Sequence, residues 1–310
     1  MNPAVDVSVS TERVVPEHKL RCSEPRLDAG GGGLNVARAV HELGGRAKAL
    51  YAAGGATGTL LRELVDATGI DHEPLPIGGR TRQNLTVSES STDYQYRFVV
   101  PGPELGNEEW ERPLQRLAAL APPPRYVVAS GSLPPAVPED FYARVASVAR
   151  GIGARTILDT SGTALRRGIE SGVYLVKPNV RELGQLAGAA LHNEGAYERA
   201  ARELVTSGRV EVVVVSMGAA GVLFVTADRV ERVRAPIVPV RSKIGAGDCT
   251  VAGIVFGLTR GDELSRAIRR GVAAGTAAVM TPGTELSRRE DVERLYAEML
   301  ANSAGGPDSK

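Results

Sequence analysis

The sequence is poor in the residues that build disulfide-linked or metal-centred domains. It has two cysteines, Cys22 and Cys249, in 310 residues, and neither belongs to a Cys-x-x-Cys pair. A disulfide framework or a cysteine-rich zinc site is therefore not expected, and a reducing cytoplasm is the simplest setting. The four histidines show no metal-ligand spacing, so none receives a role.

Charge of one sign and long apolar runs are also missing. The formal net charge is +1, which gives no reason to expect a nucleic-acid partner. The longest apolar stretch, 212–227, is interrupted by Gly218 and Gly221, so it predicts two buried strands and no membrane helix. No basic segment followed by an apolar one stands at the amino end, so no signal peptide is expected. The chain is long enough to bury a sizeable core.

From about residue 33 onward, short apolar runs alternate with amphipathic segments. Buried strands are predicted at Tyr126–Ala129, Thr156–Leu158, Tyr174–Val176 and Val210–Val215. Helices are predicted at 196–206, 247–259, 263–280 and 289–300. This alternation predicts an α/β fold with a mostly parallel central sheet covered by helices on both faces. We expect one such domain over residues 1–310.

Two segments, 5–27 and 81–100, break this rhythm. Polar and apolar residues alternate in them, and no helix lies between their halves. Such strands favour an antiparallel sheet with one exposed face. We therefore expect a small antiparallel β lid that stands off the α/β body within the same domain.

The segment Gly245-Ala246-Gly247-Asp248 lies directly before a predicted helix. Glycines there expose backbone N–H groups at the positive helix end, where phosphate oxygens bind best. Asp248 is placed to accept a proton from an attacking hydroxyl. A glycine turn with an aspartate N-cap explains the pattern equally well.

Four glycines, Gly30 to Gly33, precede a second predicted helix that contains Asn35. They are not a dinucleotide fingerprint, because no strand is predicted before them and no acidic residue stands at the ribose position. They allow the backbone to approach a ligand closely, and Asn35 offers an amide with both donors and an acceptor. The alternative is a flexible loop with a solvent-facing asparagine.

Three further groups have a functional and a structural interpretation. Asn179 and Glu182 follow Lys177 at the end of a predicted strand, where they suit either Mg²⁺ or a helix cap. Ser216 and Gly218 end another strand, where they suit either a nucleotide or a plain hairpin. The basic residues of the predicted lid suit either a sugar phosphate or solvent: Lys19, Arg21, Arg82 and Arg97. Cys249 is interpreted as a small residue that fits at the start of its helix, in preference to a reactive thiol.

Together these segments resemble the PfkB (ribokinase-like) family of carbohydrate kinases along nearly the whole chain. Two signatures carry the resemblance, GGGGLNVARAVHELGG at 30–45 and IGAGDCTVAG at 244–253. Further stretches are similar to the hexose-phosphate branch of the family, and most of all to its minor-type 6-phosphofructokinases. They are Asn2–Asp6, Lys19–Cys22, Ala53–Gly58, Thr81–Asn84, Gln95–Phe98 and Ser130–Pro135.

The resemblance implies an ATP-dependent kinase of a ketohexose phosphate, foremost fructose 6-phosphate, that uses Mg²⁺. Asp248 would be the catalytic base, and the amides of Gly245, Ala246 and Gly247 the anion hole. The sugar would be held by Asp6, Gly31, Asn35 and Ser132, and its phosphate by Arg82 and Arg97. The metal would be organised by Asn179 and Glu182, and the nucleotide would lie at Lys177, Ser216 and Gly218.

The resemblance also implies an assembly. The lids of the family pair to form a homodimer, and Lys19 and Arg21 would reach into the neighbouring subunit's site. More weakly, it implies a K⁺ site formed by backbone carbonyls near Ser242, Ile244 and Gly283.

Two features depart from the family pattern. An apolar strand usually precedes the segment Asn2–Asp6, and here Met1 stands at that point; we expect either a start site set too late or a missing core strand. Lys243 stands where close relatives carry a small hydroxyl residue, which weakens the K⁺ expectation.

The sequence pattern leaves other activities open. Tagatose-6-phosphate kinase and 1-phosphofructokinase share much of the pattern. A binding protein without turnover would follow if the absent strand cripples catalysis. A dinucleotide-dependent oxidoreductase rests only on Gly30–Gly33, and it predicts cofactor binding that Asp248 does not affect.

Overall fold

The computed structural model describes residues 1–92 and 94–304, and these contain twelve strands and ten α-helices. The strands are β1 Ala4–Thr11, β2 Arg26–Gly30, β3 Lys48–Ala53, β4 Asp71–Pro76, β5 Arg82–Glu89, β6 Gln95–Phe98, β7 Tyr126–Ser130, β8 Arg155–Asp159, β9 Val173–Val176, β10 Val210–Ser216, β11 Val222–Val225 and β12 Val230–Val233. The helices are α1 Gly32–Glu42, α2 Gly55–Asp66, α3 Asn107–Ala118, α4 Phe141–Gly151, α5 Gly162–Glu170, α6 Val180–Ala187, α7 Glu194–Thr206, α8 Ala246–Arg260, α9 Leu264–Val279 and α10 Arg289–Ala304.

The main sheet has six strands in the order β12-β11-β10-β9-β8-β7. The four strands β7 to β10 run parallel, and β11 and β12 continue the sheet as antiparallel hairpins. Ile157 and Leu158 are neighbours on β8, point to opposite faces, and are both fully buried. Ile157 packs in a core with α1, α8, α9 and α10, whereas Leu158 packs in a core with α3 to α7. The predicted α/β fold is confirmed.

A smaller sheet has the strand order β2-β1-β5-β6. Its outer pairs, β1–β2 and β5–β6, are antiparallel as predicted. The middle pair differs from the prediction, because β1 and β5 run parallel and place Asp6 opposite Asn84. Parallel strands need a long crossover, and here α1, β3, α2 and β4 provide it. We call this four-stranded sheet the lid.

The lid has one polar and one apolar face, because side chains alternate along each strand. Asp6 and Asn84 are directly opposite each other, and Arg97 is opposite Thr86 on the same face. The other face carries Val7, Leu85 and Phe98, which are successive cross-strand neighbours. At its outer end Phe98 remains 53% exposed.

Strands β3 and β4 form a separate parallel pair, which is not hydrogen-bonded to the main sheet. Helix α1 packs against both β3 and β7, so the two sheets lie side by side beneath one helix. Among the described helices, none combines the length and apolar character that a membrane crossing needs.

Candidate active site

Helix α8 begins with a glycine turn that leaves backbone amides available to a ligand. Gly245 is the N-cap, with a φ of 75°, in the left-handed region that glycine adopts readily because it has no Cβ. The amide of Cys249 donates to the Gly245 carbonyl at 2.8 Å and closes the first turn. The amides of Gly245, Ala246 and Gly247 therefore have no acceptor within the helix. They stand at its positive end, where anionic oxygens are stabilised.

Asp248, in the first turn of α8, is held by Asn35 of α1. The Asn35 Nδ2 donates a hydrogen bond of 2.9 Å to Asp248 Oδ2. The two helices approach this closely because Gly32 has no side chain: a Cβ there would lie 3.2 Å from Asp248 Oδ1 and 2.3 Å from Ser130 Oγ. The two glycine-led helix starts, which are far apart in sequence, thus form one site.

The Asp248 carboxyl has its pKa raised to about 7. Burial is the main cause and the charge of Asp159 adds to it, whereas the Asn35 hydrogen bond and the charge of Lys177 act in the opposite direction. Part of the residue still reaches solvent, so a substrate can contact it although surrounding atoms displace most of its water. A carboxyl with a pKa near neutrality is suited to exchange a proton with an alcohol.

A buried ion pair lies beside the glycine turn. Lys177 Nζ is 3.1 Å from Asp159 Oδ1, and the two side chains are only 7% and 14% exposed. A Cβ on Gly247 would lie 3.4 Å from Lys177 Nζ, which places the ammonium next to the free amides. Burial lowers the pKa of Lys177, but the charges of Asp159, Asp248 and Glu182 outweigh it and raise the pKa, so the ammonium stays charged. A cation beside free amides can neutralise a phosphoryl group.

The polar face of the lid contributes residues to the same site. Asn84 Nδ2 donates to Asp6 Oδ1 at 2.8 Å, and Asp6 is near enough to Asp248 to raise its pKa. Burial raises the pKa of Asp6 itself, although Asn84, Arg82 and Arg97 counteract it. Two further predicted sugar ligands lie at the turns below the lid. Gly31 is the N-cap of α1, and Ser132 accepts a hydrogen bond of 3.1 Å from Asn2.

The basic residues of the lid have different surroundings. Arg82 donates to the carbonyls of Val100 at 2.9 Å and Asn2 at 2.8 Å, so its guanidinium ties the base of the lid together. Its Nε is buried and has no partner among the described residues. Arg97 is exposed, and its charge acts on Asp6. Lys19 and Arg21 are exposed in the loop between β1 and β2.

An open cleft of about 700 Å³ lies at the carboxyl ends of β9 and β10. The predicted nucleotide residues Ser216 and Gly218 line it together with Asn179. Ser216 joins the two strand ends, because its amide donates to the Pro178 carbonyl at 2.9 Å. The sequence assigned no role to the other lining residues, which include Arg181, His192, Tyr197 and Met217.

Asn179 and Glu182 form a reciprocal helix cap. Asn179 Oδ1 accepts from the Glu182 amide, and Glu182 Oε2 accepts from the Asn179 amide, both at 2.9 Å. The described residues contain no group of three or more histidine, cysteine, aspartate or glutamate side chains that could cage a metal. Mg²⁺ needs only one or two protein groups because it keeps several waters. The second carboxylate oxygen of Glu182 therefore fits a largely hydrated Mg²⁺.

The loops of the predicted K⁺ site are joined to each other. Ser242 Oγ donates to the Gly283 carbonyl at 2.7 Å and accepts from the Ile244 amide at 3.2 Å. Lys243 is exposed, so its side chain does not enter this junction.

Comparison with known proteins identifies the family. Residues 2–291 match the model of the pfkB family carbohydrate kinases. The chain belongs to this family. It is 48% identical to ATP-dependent 6-phosphofructokinase isozyme 2 of Mycobacterium tuberculosis, over 96% of this chain and 87% of that protein. It is 39% identical to the isozyme 2 of Escherichia coli, over 95% and 96% of the two chains.

Solved structures agree with this assignment. Phosphofructokinase-2 from E. coli in complex with potassium superposes with a TM-score of 0.93 at 38% identity, covering 97% of each chain. The same enzyme in complex with fructose-6-phosphate gives 0.91 at 37% identity, also covering 97% of each chain. This pfkB protein is an ATP-dependent sugar-phosphate kinase, as its sequence predicted.

The surroundings of the glycines at 30–33 and of Cys249 are defined in this pfkB protein. The glycines at 30–33 do follow a strand, β2, contrary to the prediction, but it is an outer strand of the lid and pairs antiparallel with β1. Cys249 is fully buried and burial raises its pKa to about 11, so the thiol is a packing residue.

Asp159 is the important site residue that was missed. It is the last residue of β8 and lies directly after the predicted strand Thr156–Leu158. Ligand sites of α/β sheets lie beyond the carboxyl ends of strands, so this position was a detectable signal. Its partner Lys177 comes directly after the neighbouring strand, β9.

Proposed function

We propose that this kinase transfers the γ-phosphoryl group of ATP to fructose 6-phosphate and forms fructose 1,6-bisphosphate. The observation that carries the proposal is the contact between Asn35 and Asp248, which joins two glycine-led helix starts beside a buried lysine. Support for the acceptor comes from two relatives, 48% and 39% identical to this chain, which are named 6-phosphofructokinases.

Asp248 acts as the general base in this proposal. The acceptor hydroxyl lies against its carboxylate and gives up its proton as the oxygen attacks the γ-phosphorus. Asn35 fixes the carboxylate, which leaves one oxygen, Oδ1, facing the acceptor. Positioning and charge neutralisation account for most of the catalysis of phosphoryl transfer. A positioned base typically raises the rate by about 10²–10⁴-fold.

The glycine turn and Lys177 hold the transferring group. The amides of Gly245, Ala246 and Gly247 donate to the equatorial oxygens, and the Lys177 ammonium neutralises charge beside them. Asp159 keeps that ammonium in place. Glu182 and Asn179 would hold Mg²⁺, which would supply further neutralisation of the phosphate charge.

The sugar lies between Asp248 and the polar face of the lid. Asp6 accepts hydrogen bonds from its hydroxyls, with Asn35, Ser132 and the Gly31 backbone beside it. Arg97 is free to pair with the phosphate that the sugar already carries, and Arg82 contributes its charge at the base of the lid. ATP occupies the cleft at Ser216 and Gly218.

The lid also suits pairing with a second copy of the chain. Its apolar face ends in Leu85, Tyr96 and Phe98, which are 37%, 36% and 53% exposed. Burying such a face against its equivalent in a second subunit removes it from water. Lys19 and Arg21, exposed at the lid, then reach the partner's substrate. A K⁺ ion near Ser242 and Gly283 is a further part of the proposal, supported by the potassium complex of the E. coli relative.

The acceptor is tested by supplying fructose 6-phosphate, tagatose 6-phosphate and fructose 1-phosphate in parallel with MgATP and measuring ADP release. We expect the highest kcat/KM with fructose 6-phosphate. A preference for fructose 1-phosphate would instead favour the 1-phosphofructokinases, one of which, from Xanthomonas campestris, is 36% identical over 83% of this chain. Binding of all three without ADP release would mean a protein that binds but does not turn over.

A further inference from the structure

The turn that follows strand β7 is held by two hydroxyl groups that the proposed reaction does not use. Tyr142, in the first turn of α4, donates a hydrogen bond of 2.8 Å to the Gly131 carbonyl. Thr160, directly after β8, donates to the same oxygen, also at 2.8 Å. A carbonyl oxygen has two lone pairs, so the two hydroxyls satisfy it completely.

Both hydroxyl groups belong to side chains of the protein interior. Tyr142 and Thr160 are only 3% and 7% exposed. Burial raises the pKa of Tyr142, and the charge of Asp159 raises it further, so the phenol keeps its proton and remains a donor. The Gly131 carbonyl is therefore held inward, away from solvent, by two donors.

Gly131 depends on such bonds because its own backbone does not select one conformation. Its φ is 97°, and glycine adopts positive φ about as readily as negative φ. The Gly131 amide donates to the Asp159 carbonyl at 3.0 Å, which fixes one side of the residue. Tyr142 and Thr160 fix the other side through the carbonyl. The three bonds together hold the turn in a single conformation.

The inward carbonyl determines where the next amide points. The Gly131 carbonyl and the Ser132 amide belong to one planar trans peptide, in which C=O and N–H point in opposite directions. The Ser132 N–H therefore points away from Tyr142 and Thr160, and Ser132 is exposed. Its side chain accepts a hydrogen bond of 3.1 Å from Asn2. The turn thus presents a backbone donor and a hydroxyl group together.

The turn lies beside the proposed base and apart from the ATP cleft. A Cβ on Gly32 would lie 3.0 Å from the Gly131 amide nitrogen and 3.2 Å from Asp248 Oδ1, so the turn and the base border the same glycine. The cleft lies at the ends of β9 and β10, whereas the turn follows β7, on the other side of β8. A shift of the turn would consequently affect the sugar and leave the ATP cleft unchanged.

We propose that Tyr142 and Thr160 are positioning residues for the sugar. By holding the Gly131 carbonyl inward, their hydroxyls aim the Ser132 amide and side chain at the hydroxyls of the bound ketohexose phosphate. Neither residue touches the substrate itself. This inference rests on the proposed function, since it assigns Ser132 to the same sugar.

The test removes the two hydroxyls and preserves the shape of each side chain. Tyr142→Phe, Thr160→Val and the double variant lose one or both donors, whereas Thr160→Ser keeps its hydroxyl. Tyr51→Phe is the matched control, because Tyr51 is 2% exposed and its hydroxyl bonds to His72 at 3.0 Å, outside the site. The kcat, the melting temperature and the KM values for MgATP and for the preferred ketohexose phosphate are measured for each.

The sugar KM should change selectively. Each single loss should raise it about threefold and the double variant at least about tenfold, as expected for lost hydrogen bonds, while the KM for MgATP stays within about twofold. Thr160→Ser should restore the sugar KM of the unsubstituted enzyme, and Tyr51→Phe should leave both KM values unchanged. If the double variant does not fold, the two single variants provide the same comparison.

Three results would overturn the inference. The KM values for sugar and MgATP could rise equally, the melting temperature could fall with the sugar KM unchanged, or Thr160→Ser could behave like Thr160→Val. Each would mean that the hydroxyls support the fold alone, and each would leave the proposed phosphoryl transfer standing. Failure of the unsubstituted chain to release ADP with any of the three sugars would instead overturn the proposed function and this inference together.

Discussion

At the scale of single residues, Asp248 connects the structure to a pH dependence. Its pKa is raised to about 7, first by burial and then by Asp159. The base must be ionised to accept a proton, so kcat/KM should rise as pH rises through about 7 and become level above it. Rates measured between pH 5.5 and 9 at saturating MgATP check this. A flat profile over that range would mean that another group, or none, takes the proton.

The pair Lys177–Asp159 is a second residue-scale prediction. Removing one partner of a buried ion pair leaves an uncompensated charge, which typically costs about 3–5 kcal/mol. Asp159→Ala should therefore lower the free energy of unfolding, measured in urea, by roughly 3 kcal/mol. Asp140→Ala is the matched control: Asp140 pairs with Arg144 at the surface, and exposed pairs contribute little. Equal effects of the two substitutions would contradict the buried role of Asp159.

At the scale of secondary-structure elements, helices α8 and α9 pack through glycine. A Cβ on Gly253 would lie 2.7 Å from the Arg270 carbonyl and 2.8 Å from Gly271 Cα, so the backbones themselves would have to separate. Gly253→Ala should destabilise the protein by about 1–3 kcal/mol, as overpacking does. Because α8 carries Asp248, activity should fall as well.

The control for this helix contact is Gly151→Ala, at the last residue of α4. Nothing lies within 4 Å of a Cβ added there. Alanine favours the helix over glycine by up to about 1 kcal/mol, so the melting temperature should stay level or rise. If Gly151→Ala destabilised the protein as much as Gly253→Ala does, the close contact between α8 and α9 would not explain the loss of stability.

Sequence reasoning succeeded where one segment determines its own structure. The β-branched run at 210–215 and the periodic segment at 247–259 became β10 and α8. The spacing of Asn179 and Glu182 was interpreted either as a Mg²⁺ site or as a helix cap, and the structure contains the helix cap. The carboxyl end of β2 was missed, because the predicted lid segment ends at residue 27 and Arg26–Gly30 has no β-branched residue. This strand takes its conformation from pairing with β1.

Relations between distant segments could not be predicted from local pattern. The parallel pairing of β1 with β5 depends on how the intervening elements cross over, and alternation of residues does not report strand direction. The Asn35–Asp248 contact needs the amino-terminal turns of α1 and α8 to lie together. The sequence singled out both residues at their glycine-led helix starts, whereas the structure brings them together and gives the distance between them.

At the scale of the whole molecule, the lid predicts a dimer. Phe98→Asp places a charge on the exposed apolar face of the lid and should reduce the mass measured by light scattering from that of a dimer to that of a monomer. Ile237→Asp is the control, because Ile237 is fully exposed but lies outside the lid. If both variants kept the mass of the unsubstituted chain, pairing through the lid would be wrong.

The role of the carboxylate at position 248 is tested most directly by one kinetic comparison. The kcat of the unsubstituted enzyme and of Asp248→Asn is measured with fructose 6-phosphate and MgATP. Asparagine preserves the shape of the side chain but cannot accept the proton, so kcat should fall by at least about 10²-fold. A variant that keeps nearly the full kcat would contradict the assignment of Asp248 as the base.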